Sequence, residues 1–467
     1  MLNELLTTEP TIATAGVDLF TQALEEQAVN VTKVEWRPPL EGTTDALTRV
    51  MADPRRADAN AQALERITSA SAELVRLVPA KEALDLQPGE FLHSGPPLEW
   101  ERASGPMRGA LIGAALFEEL AADEDEAVAG FESGRFTMAP CHSRGAVGPM
   151  AGVVSPSMYM QELHDPVHGG TAHCSLNEGL GKVLRYGAYN DEVLSRLRWM
   201  RDVLGPILAA AVERSGPLDI RAYISNMLQM GDEGHNRNRS ATLAFLRDVG
   251  PAMFSLDQFS SSDRAEAFRF IGGNDHFALN LVMPACKLIM HSAKGIPGST
   301  TVVTMARNGT DFGIQVSGTD DQWFTGPANK PEGLFLGSYG PDDANPDIGD
   351  SAITETAGIG GLAMATSPAI VQLVGGDVPF ALRTTRTMYE ICGGESQAWQ
   401  LPIMEFRGTP TGIDVAKVAS SGILPQINTG MAGAVAGVGQ VGAGLVNPPA
   451  ECFTQALVAL AARVPSP

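Results

Sequence analysis

The chain has 467 residues, too many for one ordinary core, so two or three domains are expected. With 44% hydrophobic and 19% charged residues it reads as folded rather than disordered. A formal charge of -21, from 54 acidic against 33 basic side chains, disfavours nucleic acid and anionic membranes as partners.

The opening "MLNELLTTEPT" lacks a basic segment followed by an apolar one, and no stretch has the ~20 apolar residues of a membrane span. Five scattered cysteines form no C-x-x-C pair, which argues against a disulfide framework and fits a reducing cytoplasm.

In chain order, "TIATAG", "VDLFTQALEEQ" and "AVNVTKVEW" predict a small β-α-β unit, with Val17, Phe20 and Leu24 on one helical face. We take this as the edge of a Rossmann-like layer. Residues 44–78 are helical by pattern, and Pro96-Pro97 suggests a boundary. From 104 to about 294 the helical signal dominates. There Asn190 is a plausible N-cap, Asp191 and Glu192 complement the helix dipole, Gly205-Pro206 predicts a kink, and Gly216 a stop.

After 298 two β-prone runs flank Asn308-Gly309, a strong hairpin signal, and Gly-rich loops then alternate with short apolar helices such as "GGLAMATSPAIVQLV". The fold class expected is mixed α/β (α+β), in three parts: an N-terminal α/β domain (1–97), a helix-rich central domain (98–297) and a C-terminal mixed domain (298–467).

Near the end, "AGVGQVGAGLVNPP" sets Gly437, Gly439, Gly442 and Gly444 in a G-x-G-x-x-G-x-G order. A dinucleotide fold needs a helix after these glycines and an acid about 20 residues on. Pro448-Pro449 interrupts that helix and position 464 is Val, so the glycines serve either close backbone packing or an anion-cradling nest. No nucleotide cofactor is expected.

Several polar clusters could carry chemistry. "LQMGDEGHNRNRSAT" gathers Asp232, Glu233, His235, Asn236, Arg237, Asn238 and Arg239 before an apolar helix, whose N-terminus welcomes anions. "FIGGNDHFALNL" places Asn274, Asp275 and His276 after a glycine pair, where Asp and His suit proton transfer or a capping turn. "SLNEGLGKVLRYG" sets Asn177, Glu178 and Lys182 among glycines, and "PDIGDSAITETAGIGGLAM" offers Asp347, Asp350, Ser351, Thr354, Glu355 and Thr356. His164, His168, His173 and Cys174 invite a zinc reading, but Pro166 and Gly169-Gly170 break the helix it needs, and no metal is expected.

In order, the blocks "MAGVVSPSMYM", "HCSLNEGLGKVLRYGA", "LQMGDEGHNRNRSAT", "GGNDHFALNL", "MARNGTDFGIQVSGTDDQWF", "PDIGDSAITETAGIGG" and "GIDVAKVASSGILPQINTGMAG" resemble the signature blocks of the YlbE/YahG-like family. The likeness runs from about residue 10 to 460. That family includes a subunit of bacterial oxamate carbamoyltransferase.

The resemblance implies a subunit of a multi-subunit carbamoyltransferase of purine and allantoin catabolism, working with an FdrA-like subunit and a third, small one; a homodimer is also open. The reaction it implies moves a carbamoyl group between phosphate and oxamate, interconverting oxalurate with oxamate and carbamoyl phosphate. The phosphate loop of aspartate and ornithine carbamoyltransferases is absent; "LRTTRTM" and "APCHS" are superficial echoes.

Such chemistry needs donors for phosphate or carboxylate, a group polarising the carbamoyl oxygen and a base for the attacking nitrogen. The expected catalytic groups are His235, His276, Asp275 and Glu355. The expected binding groups are Asn236, Arg237, Asn274, Arg307, Ser351, Thr354, Asn177, Glu178 and Asn428, with the loop from Asn428 to Gly444 closing an anion site. A non-catalytic scaffold and an amide or ureido hydrolase are the competing readings.

Overall fold

A computed structural model describes residues 12–15, 18–27, 31–34, 37–367, 371 and 376–465. The protein is mixed α+β, with helices packed around several small sheets. Near the N-terminus, strands Ile12–Ala15 and Val31–Val34 pair in parallel across helix Asp18–Glu25, as expected of a β-α-β unit. Among the described residues these two strands form a sheet of their own. Phe20 is exposed; Val17 and the opening residues 1–11 lie outside the described residues.

The stretch expected to be helical over 44–78 divides into helices Thr44–Met51 and Arg56–Ser69 and strand Glu73–Pro79. Pro54 cannot donate to the helical ladder, which fits the break, and in "ELVRLVP" the apolar residues come in adjacent pairs, with Leu74 and Leu77 buried and a register shift between Leu74 and Arg76. That strand joins a four-stranded sheet, in the order Thr171–Ser175, Tyr159–His164, Glu73–Pro79, Leu218–Asp219. The central stretch is thus less uniformly helical than its sequence pattern suggests, because short strands buried between helices carry no strong periodic signal.

The Asn190 cap is observed: its side chain accepts from the Val193 amide at 3.1 Å. The expected kink is a wide π turn, Met200–Leu204, between helices Asp191–Trp199 and Gly205–Ser215. Pro206, lacking an N–H, is compatible with such a locally widened ladder. Gly216 then ends the second helix at φ +75°.

The Asn308-Gly309 signal is also observed, joining strands Val302–Asn308 and Asp311–Val316 inside a four-stranded antiparallel sheet. The C-terminal glycines lie in a second hairpin, Ile427–Ala432 with Gln440–Val446, whose outer neighbour is strand Glu332–Phe335. A Cβ at Gly442 would meet the Leu334 carbonyl oxygen at 2.6 Å, and one at Gly444 the Glu332 oxygen at 2.3 Å. These two glycines therefore permit close strand approach, the packing alternative. Gly437, in the connecting loop, donates its amide to the Tyr186 carbonyl.

The largest apolar core runs from Ala59 to Ala432 and takes in the buried helix Leu279–His291. A second core, including Phe312, Val415 and Phe453, packs the C-terminal sheet and helices. The apolar segment "GGLAMATSPAIVQLV" begins with a 3-10 stretch, Gly360–Thr366; residues 368–370 and 372–375 lie outside the described residues. No helix among the described residues is long and apolar enough to cross a membrane.

Candidate active site

Two glycine-rich loops meet on the buried helix Leu279–His291. In the first, Gly231 and Gly234 take positive φ, turning the chain so that Asp232, Glu233 and His235 all point inward. In the second, the short helix Ile353–Thr356 carries Glu355 into the same space. His235 Nδ1 lies 2.8 and 2.9 Å from the two Glu355 oxygens, and both side chains are buried.

Glu355 also accepts from the Gly361 amide at 2.8 Å and the Asn428 amide at 3.2 Å, with the Thr354 hydroxyl 2.9 Å away. These contacts fix Glu355 against Nδ1 and set the orientation of the His235 ring. Nε2, on the far side of the ring, is buried without a partner among the described residues. A Cβ on Gly360, at φ +60°, would stand 2.1 Å from Glu355 Oε1, so the residue there must be glycine.

Glu233, two residues before His235, is fully buried and accepts the Asn236 and Arg237 amides at 2.5 and 3.1 Å. Burial pushes its carboxyl up to about 7, with the Glu355 charge adding to the rise. His276 is pushed down to about 4, first by burial and then by the charge of Arg185. It is a neutral imidazole at pH 7.

Asparagines brace this region. Asn274 Nδ2 donates to Asn177 Oδ1 at 3.0 Å, Asn177 Nδ2 to Asn280 Oδ1 at 2.7 Å, and the His276 amide to Asn274 Oδ1 at 3.1 Å. Glu178 accepts the Leu184 and Arg185 amides at 2.7 and 3.2 Å.

Of the residues singled out from sequence, His235, Glu355, Thr354 and Asn428 share one contact set, and Asn236 adjoins it through Glu233. Asn177, Asn274 and the His276 amide form a second set, with Glu178 next to Asn177 in the chain. The Asn428 side chain is buried with both polar atoms unpartnered.

Others are placed differently. Asp275 is 61% exposed, 3.7 Å from Arg239, and makes no contact with His276 through its side chain. Arg237, 42% exposed, faces Asp232 at 3.3 Å. Asp232 also caps the following helix through the Ser240 amide at 2.7 Å, so a protein carboxylate already occupies the helix start expected to receive an anion.

Arg307 is fully buried and its guanidinium is filled from within. It donates to both Asp347 oxygens (2.7 and 3.1 Å), the Gly349 carbonyl (2.7 Å), Ser351 Oγ (3.1 Å) and Thr429 Oγ1 (3.0 Å). Arg307 and Ser351 thereby tie the strand Val302–Asn308 to the loop that delivers Glu355.

A further polar cluster lies along the same helix, and of its members only Asp350 stood among the residues singled out from sequence. Lys287 is buried, its Nζ 3.0 Å from His142 Nδ1 and 3.2 Å from His291 Nε2. Asp350 lies beyond, 3.3 Å from His142 Nε2, and holds the Gly95 and Gly148 amides. Burial pushes the Lys287 amine down to about 7. The sequence signal was a lone lysine in an otherwise apolar helix, "LNLVMPACKLIMH".

Comparison with known proteins matches residues 136–351 to the family "Oxamate carbamoyltransferase subunit AllG". The chain is 44% identical to "Uncharacterized protein YahG" of Escherichia coli (strain K12), over 96% of both chains. It is also 44% identical to "Oxamate carbamoyltransferase subunit AllG" of the same organism, over 87% of this chain and 97% of that protein. A crystal structure of a conserved protein of unknown function from Enterococcus faecalis V583 superposes with a TM-score of 0.87 at 44% identity, covering 88% of this chain and 99% of the other. Identity at that level over nearly the whole length makes this chain a member of the YahG/AllG-like family.

Proposed function

We propose that the chain is a subunit of a carbamoyltransferase that moves a carbamoyl group between phosphate and the nitrogen of a small oxamate-like amide, together with an FdrA-like subunit and a third, small one. The observation that carries the reading is the buried Glu355–His235 pair with Nε2 uncommitted, in a chain akin to a subunit named for oxamate carbamoyltransferase.

In the direction of carbamoylation, His235 Nε2 takes a proton from the acceptor nitrogen as that nitrogen attacks the carbamoyl carbon. The C–O bond to phosphate breaks, and phosphate leaves with the bonding pair. Glu355 holds the Nδ1–H and stabilises the imidazolium that forms. His276, neutral at pH 7, donates an N–H to the carbamoyl oxygen as charge develops there. In reverse, His235 returns the proton to the departing amide while phosphate oxygen attacks carbon. Arg307, with its donors already filled, serves as a brace for the Glu355 loop in this reading.

Phosphate-dependent formation of carbamoyl phosphate from oxalurate, by the chain alone and mixed with the two partner subunits, tests the proposal. Activity in the mixture that His235→Ala abolishes is expected. Ammonia release without phosphate would replace transfer with hydrolysis, and an assembled complex indifferent to His235→Ala would move the chemistry to another subunit.

A further inference from the structure

The strand Glu332–Phe335 is the outer edge of its sheet. It pairs with Gln440–Val446 on one side, and among the described residues no strand pairs with the other. Its two faces are unequal. Phe335 packs against Ala344, Met431 and Val441. Side chains alternate along a strand, so Glu332 and Leu334 lie on the opposite face, followed by Leu336, and all three are exposed. Leu334 is 49% exposed and Leu336 51%, where a solvated strand face is ordinarily polar. Exposed apolar groups continue at the same end of the sheet. Tyr339 bonds through its amide to the Leu336 carbonyl, and Val435 stands in the loop that joins Ile427–Ala432 to Gln440–Val446.

The backbone of this edge is also uncommitted. The Leu336 amide donates to the Val441 carbonyl at 2.8 Å. Bonded residues alternate in an antiparallel ladder, so Glu332, Leu334 and Leu336 spend their backbone groups on the hairpin, while Gly333 and Phe335 direct theirs to the open side. Open edges are commonly protected by charge or proline. Here Lys330, Pro331 and Glu332 supply both before the strand is under way, and Gly333 to Leu336 have neither.

We propose that this edge pairs with the same edge of a second copy of the chain, antiparallel about a two-fold axis through Leu334. In that register Gly333 of each copy exchanges both hydrogen bonds with Phe335 of the other, four bonds in all. Leu334 faces its own counterpart and Glu332 faces Leu336, so no like charges are opposed. Pairing ends at Pro331, which has no amide to donate, and at Gly337, whose φ of +58° leaves the extended conformation. Charge favours a second copy at this place. From Asn329 to Gly340 the chain carries one lysine and one glutamate and no net charge, within a protein of -21, so two copies meet here without the repulsion that their overall charge exerts. The pairing is independent of the transfer chemistry above.

Sedimentation equilibrium of the full chain is expected to give twice the mass of one chain, and Leu334→Lys or Leu336→Lys to halve it with the circular dichroism unchanged. Cysteine cross-linking tests the register. Across the axis Leu334 and its counterpart form a non-hydrogen-bonded pair, with α-carbons about 4.5 Å apart and within disulfide reach. The native cysteines are all buried. With oxidised glutathione, Leu334→Cys is expected to give a covalent dimer at least about tenfold faster than Glu332→Cys, which faces Leu336 of the other copy. This comparison decides the matter if the lysine variants do not fold. A chain that sediments as a monomer throughout the micromolar range, a dimer that both lysine variants leave intact, or equal cross-linking at the two positions would overturn the proposal. A monomer that Leu334→Lys bars from joining the FdrA-like subunit would also overturn it and give the edge to that subunit instead.

Discussion

Glu355 and His235, 120 residues apart in the chain, meet at 2.8 Å in a space closed to solvent. Four groups besides the imidazole's own chain set that geometry: the Gly361 and Asn428 amides, the Thr354 hydroxyl, and the missing side chain of Gly360. His235→Ala is expected to lower kcat by about 10²–10⁴ with assembly intact, as the loss of a general base does. Glu355→Gln, which can present an N–H to Nδ1 and favour the wrong tautomer, should fall in the same range. Steady-state kinetics with circular dichroism on the same samples checks both; full activity in either variant contradicts the assignment.

Glu233 makes stability depend on pH in a definite direction. Folded, it holds its proton to about 7; unfolded, it releases it near 4.5. Between those values the native state binds more protons, so this group's contribution falls as pH rises from 4.5 to 7 and is constant above. Glu233→Gln removes the ionisation. The stability of that variant relative to the parent should rise across this window, by at most about 1.4 kcal/mol per pH unit, as urea unfolding at pH 5, 6, 7 and 8 would register.

Lys287 gives the opposite slope in a higher window. Its amine ionises near 7 when folded and 10.5 when free. The unfolded chain therefore binds the extra proton between those values, and stability rises with pH from about 7 upward; below 7 the full penalty of a buried ammonium is present. Lys287→Met should lose that slope and gain most over the parent at pH 7 and below. Parallel slopes for the two proteins between pH 7 and 9.5 would show that the amine is not desolvated.

The Arg307–Asp347 pair is fully buried on both sides, and each partner has further hydrogen bonds. Removing one partner leaves the other charged and unpaired in the interior. Asp347→Ala should therefore destabilise the protein by about 3–5 kcal/mol, far more than an exposed pair such as Arg247–Asp248 could, and denaturant unfolding measures the difference.

Local features are legible in the amino-acid sequence. Asn190 and Gly216 bound their helical segment, Asn308-Gly309 makes its hairpin, and the N-terminal β-α-β unit has the expected parallel strands, because caps, turns and periodicity act over a few residues. Both loops that form the candidate site also stand out, through polar residues crowded among glycines ahead of apolar helices. The strand Glu73–Pro79 does not, since a short half-buried strand after a long helix gives only a weak change of period.

By itself, then, the sequence determined the mixed α+β class, the family and the polar segments worth attention. Only the tertiary structure decided which of those side chains face one another. It joined His235 to Glu355, turned Asp275 outward and closed Arg307 upon Asp347. The reason is physical: capping and hydrophobic pattern are properties of neighbours along the chain, whereas the partner of a buried charge is chosen by long-range packing, and its availability to a ligand depends on whether that packing has already neutralised it.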